Sequence, residues 1–111
     1  MALACPDFEK LCEFALGFLM TGRGDARQLA ATLVQGHPDL PVLEVVLVLS
    51  TAASGLESNF SNPDAQHQAV EAWRMAALLA VDVHLAGGPG MRSREILGFW
   101  QEEDDFFLRA G

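Results

Sequence analysis

The chain has 111 residues, half of them apolar, with fifteen acidic side chains against seven basic ones and a formal net charge of −8. That length and apolar content fit one domain with a real core and exclude a chain that is disordered as a whole. The acidic balance disfavours nucleic-acid binding, which uses a basic stripe to meet phosphates; the nearest approach to one is Arg92-Ser93-Arg94.

Cys5 and Cys12 are the only cysteines. On one helix they would be separated by roughly 10 Å of rise, too far for a disulfide. Leu3-Ala4-Cys5 resembles the end of a lipoprotein cleavage box, but no basic region or apolar run precedes it. A cytoplasmic protein with reduced thiols is expected.

Residues 6–20 are expected to form a first helix. Pro6 suits the first turn, Asp7 and Glu9 complement the positive end of the dipole, and Phe8, Leu11, Cys12, Ala15, Phe18 and Leu19 make an apolar face. Asp25 with Gln28 three residues later has the form of a capping box opening a second, short helix that ends at Gly36 and Pro38. Its lower apolar content places it near the surface. Arg23-Gly24-Asp25 spells an adhesion tripeptide, but the helix cap explains it better.

The run 38–55, PDLPVLEVVLVLSTAASG, poses a choice between strand, membrane span and core helix. Its valines favour a strand locally, but it is too long for one and no partner strand follows. The uncharged part after Glu44 is short for a span and carries small polar residues. A core helix over 40–55 is therefore expected, capped by Asp39 and stopped at Gly55. Ser50 and Ser54 on it have the spacing that lets a second helix approach closely.

Asn62-Pro63 opens the longest expected helix, 63–86, with Val70, Trp73 and Ala77 on one side. From Met75 to Ala86 it is apolar nearly all round, which suits the domain centre or a dimer interface. On the dimer reading, Leu79 and Val83 would lie at that interface. Gly87-Gly88-Pro89-Gly90 stops the helix and lacks the Lys of a phosphate loop. Ser93 is expected to cap a last helix, 94–101, carrying Ile96, Leu97, Phe99 and Trp100. Beyond it, residues 102–111 form an acidic-aromatic tail that frays or begins a separate turn.

The fold class that follows is an all-α, single-domain bundle of five helices, with 40–55 and 63–86 at its centre and 6–20 and 94–101 packed across them. Four groups of residues are candidates for function. Glu44, Asp82 and His84 are candidates for a buried polar cluster in a pocket between the central helices, a constellation that often marks an active site. His67 and Glu71, one turn apart, have the spacing of two metal ligands, without a third. Arg92, Ser93 and Arg94 flank a helix start where an anion can sit. Glu102, Glu103, Asp104, Asp105, Phe106 and Phe107 combine charge and aromatic bulk as partner-binding motifs do.

No nucleophile elbow, metalloprotease motif or paired CxxC is present, and no cofactor is expected. The expected function is a non-enzymatic interaction or regulatory module binding a protein partner or a second copy of itself. The alternative is a small-molecule or metal-binding protein using the pocket of Glu44, Asp82 and His84.

Overall fold

A computed structural model describes residues 7–109. Cys5 and the expected helix start at Pro6 lie outside the described residues. Five α-helices follow in order: α1 (Phe8–Met20), α2 (Ala26–Gly36), α3 (Val42–Asn59), α4 (Pro63–Ala86) and α5 (Ser93–Glu102), with a short 3-10 turn at Phe106–Leu108. No strand occurs among the described residues, and the protein is all-α as expected. The Cα envelope measures 38 × 34 × 20 Å, its short axis holding about two helix layers at the ~10 Å spacing of packed helices.

α3 answers the question its valines raise. Val42, Val45, Val48 and Leu49 are fully buried, and the helix shares its most extensive packing with α4 and its next with α1. By length and composition alone α3 would also pass as a membrane span, with mean hydropathy 1.2. In the fold it is the central helix of the bundle. It runs one turn past Gly55, because Leu56 on that turn is buried and its packing outweighs the weak helix propensity of glycine.

α4 has its expected bounds. The Asn62 side chain accepts from the Ala65 N–H at 2.8 Å, Pro63 fills the first turn, and Gly88 at φ 104° takes the left-handed conformation that ends the helix. Leu79 is wholly buried and Val83 nearly so, which places both in the core of one chain rather than at a dimer interface. Leu79→Glu is expected to cost about 4 kcal/mol or more, the range of a buried unpaired charge, and to abolish the helical circular dichroism signal.

Two expectations are corrected. α2 is not a surface helix: Ala26, Leu29, Ala30, Leu33 and Val34 are buried, and it touches the other four helices and the 3-10 turn. Its low mean apolarity conceals a clean division into a buried side and a polar side. The starts of α3 and α5 are not capped by Asp39 and Ser93. The two chain segments pair as an antiparallel bridge, Pro41 to Arg92, in which the Val42 N–H donates to Met91 O at 3.0 Å and the Ser93 N–H to Leu40 O at 2.9 Å. The Arg94 N–H reaches Pro38 O at 3.0 Å. Each segment thus satisfies N–H groups that a helix start leaves open, and at α5 the Glu95 carboxylate adds to this by accepting from the Arg92 N–H at 3.0 Å.

Candidate functional site: the outer face of helix α4

The four sequence-derived groups are engaged in separate places. Asp82 is buried, 8% exposed, and accepts from the Trp100 indole N–H at 2.9 Å. Burial pushes its carboxyl above the usual range, the Trp100 hydrogen bond opposes this, and the charge of Asp104 adds to it. His84, two residues on, faces solvent. Glu44 is buried on α3. Asp82 looks to α5 and His84 to water, so these two neighbours on α4 do not converge.

His67 and Glu71 also part company. His67 is exposed beside a surface hollow of about 400 Å³ whose floor includes Leu19, Leu56 and Phe60. Glu71 is half-buried and sits 3.9 Å from Arg74. No group of three or more His, Cys, Asp or Glu able to hold a metal occurs among the described residues. Its polar lining is Asn62, committed to the α4 cap, with Asp64, His67 and Gln68 on the first turns of α4.

Ser93 is fully buried, and its hydroxyl donates to Leu40 O at 2.8 Å. Arg94 pairs with the Asp39 carboxylate at 2.6 Å, and Arg92 donates to Asp39 O. The chain's own Asp39 thus occupies the position expected for an external anion. Of the tail, Phe107 is buried, stacked on Trp100 with ring centroids 4.8 Å apart. Phe106 meets it edge-on and carries the Arg27 guanidinium over its ring. The aromatics cover the domain's own core, while Glu102, Glu103, Asp104 and Asp105 remain exposed.

Cys12 is half-buried, and burial raises its thiol pKa, with the nearby Glu9 charge adding to this and a Thr51 hydrogen bond opposing it. A thiol shifted in that direction is a poor nucleophile at neutral pH.

What stands out instead is the outer side of α4. Of eight large apolar residues exposed among the described residues, five lie on this helix: Val70, Trp73, Leu78, Val81 and Leu85. Val70, Ala77, Val81 and Leu85 follow one another at spacings of seven, four and four along one side of the helix, with Arg74 in the gap between Val70 and Ala77. Val70 is 60% exposed, Val81 52% and Leu85 67%. The buried side of the same helix carries Ala69, Ala72 and Ala76, opposite a partner helix that contributes Ala52 and Ala53. Small residues let α3 and α4 approach closely at these positions, Met75, Leu79 and Val83 fill the rest of the buried side, and five further bulky residues are left outside. Single exposed apolar side chains are ordinary; a group of them on one side of a helix marks a surface that is covered in use.

Arg74 and His84 lie among the apolar residues on this side of the helix, and neither acid of α4 between Val70 and Leu85 is fully exposed. Glu71 and Asp82, the acids of that span, are turned toward the rest of the domain. Trp73 is held in place by its indole N–H, which donates to Glu57 of α3 at 3.0 Å. A fixed, half-exposed tryptophan beside an apolar stripe is the kind of residue that anchors protein interfaces.

The expectation from sequence grouped Val70, Trp73 and Ala77 correctly on one side but gave no sign that this side faces outward. Compared with protein families, curated proteins and solved structures, the chain matches none of them.

Proposed function

We propose that the chain is a protein-interaction module that docks through the outer face of α4 and the adjoining surface of α3. The observation carrying this reading is the second apolar side of α4: Met75, Leu79 and Val83 already supply its buried side, and Val70, Trp73, Val81 and Leu85 still face solvent. A helix of a self-sufficient domain buries its larger apolar residues. The groups able to do chemistry support the same reading, because Asp82 and His84 point to different surroundings and Ser93 and Asp82 have structural hydrogen bonds. A complete catalytic set needs groups that converge on one reacting atom.

The test is a photo-crosslinking residue placed at Val81, with Gln101 as an exposed control position away from the face. In a lysate of the source cells, adducts to polypeptides are expected from position 81 and not from position 101. Equal labelling at both positions, or none at 81, would sink the reading.

A further inference from the structure

Resting on that docking reading, we infer that the occupant of the α4 face is a second copy of this chain, joined across a twofold axis near Ala77. Three observations point to self-association rather than to a foreign partner.

The first is charge. The chain carries a net charge of −8, so a basic partner would be drawn to its acidic surfaces. The α4 stripe is the reverse: it shows Arg74 and His84 and no exposed acid from Val70 to Leu85. Two strongly acidic molecules approach one another most readily where acid is sparse, and the carboxylates at this face, Glu57 and Glu71, are engaged by Trp73 and Arg74 of the same chain.

The second is self-complementarity. In a twofold dimer the same patch meets itself, with residues near the axis facing their own copies. The stripe from Val70 to Leu85 is centred close to Ala77, an exposed small residue, with Val70 and Trp73 to one side and Val81 and Leu85 to the other. A small residue at the centre lets the two helices close, and the bulky residues of one copy then lie beside those of the other.

The third is area. The span Val70–Leu85 is about 24 Å long and ~10 Å wide, and the outer side of α3 alongside it, with Leu43, Leu47, Ser50 and Ser54, adds a similar strip. Two such faces together remove ~1,000 Å² from water, close to the lower bound for a specific interface. A concentration-dependent dimer is therefore expected, in contrast to the larger and permanently buried surfaces of obligate dimers.

Sedimentation analysis of the full chain over a range of concentrations tests the inference. The wild-type protein should sediment as a dimer at high concentration. Ala77→Glu, an exposed substitution that keeps helix propensity, should weaken association by at least about tenfold, because two like charges meet across the axis. Ala77→Lys should do the same, and an equimolar mixture of the two variants should recover the dimer. Unchanged circular dichroism establishes that each variant is folded; a variant that unfolds is replaced by the Val81→Glu and Val81→Lys pair, read in the same way.

A wild-type chain that stays monomeric at every concentration overturns the inference, as does a dimer indifferent to both pairs. The docking reading has a separate outcome. Adducts from position 81 at twice the chain mass support self-association; adducts of other masses alone overturn it and leave the docking face standing.

Discussion

Trp100→Ala is expected to lower the unfolding free energy by about 3–5 kcal/mol, the range for removing a large buried aromatic side chain. A domain of this kind has about 5–15 kcal/mol in total, so the variant should be largely unfolded in modest denaturant. Trp100 joins three elements. It is fully buried on α5, stacks on Phe107 of the 3-10 turn, and donates its indole N–H to Asp82 of α4 at 2.9 Å. Its loss opens a cavity, strips Phe107 of its stacking partner and leaves a buried carboxylate without its donor.

Removing residues 103–111 attacks the same corner from the other side and should cost about 3 kcal/mol through Phe107 alone. Urea unfolding followed by circular dichroism checks both. A truncated chain as stable as the full one would show that the aromatic turn contributes nothing to the core, and would restore the tail as a partner-binding segment.

Asp82→Asn is expected to stabilise the protein at pH 7, with a gain that fades on acidification. Burial, opposed by the Trp100 hydrogen bond and reinforced by the nearby Asp104, leaves the folded-state pKa of Asp82 above its unfolded value. The folded state then binds more protons than the unfolded state between those two values. The stabilisation from this group is complete below the unfolded pKa and is lost as pH rises through the folded one. Once ionised, the wild-type carboxylate is a buried charge, and Asn keeps an oxygen for Trp100 without it.

The quantity to measure is the stability difference between Asp82→Asn and wild type from pH 7 down through the ordinary carboxylate range. A positive difference that closes with falling pH is the expected result. A variant less stable than wild type at pH 7 would mean that the charge-assisted bond to Trp100 outweighs the cost of burial. Asp82→Ala should lose about 1–3 kcal/mol across the whole range, because the buried indole N–H then has no acceptor.

Features set by neighbouring residues were legible in the sequence. The capping box of Asp25 and Gln28 is present, with the Gln28 N–H donating to Asp25 Oδ1 at 2.8 Å and the Asp25 N–H to Gln28 Oε1 at 2.9 Å. Asn62, Pro63 and the glycines after Ala86 bound α4 as their residue types suggest. Each signal acts within one helical turn, so the partners it needs are a few residues away. The helical state of the valine-rich segment was legible for a different reason: its length and the absence of a partner strand decided against the local preference of valine.

The starts of α3 and α5 were not legible, because their N–H groups are satisfied by segments some fifty residues apart in the chain, Leu40 to Ser93 and Val42 to Met91. The candidate site escaped for a related reason. Asp82, Glu44 and His84 read as one polar group on paper, but their directions depend on how the helices cross.

Composition, periodicity and turn residues by themselves determined an acidic all-α chain, the approximate positions of its helices and the two polar groups that cap α2 and α4. The tertiary structure alone decided which side of each helix is inside. On α4, Met75, Leu79 and Val83 are inside with the alanines, while Val70, Val81 and Leu85, whose hydrophobicity by itself would have placed them in the core, are outside. Periodicity identifies a face, but only packing against a neighbour selects the face that is buried, because the free energy of burial depends on the fit of two surfaces and not on the apolarity of one.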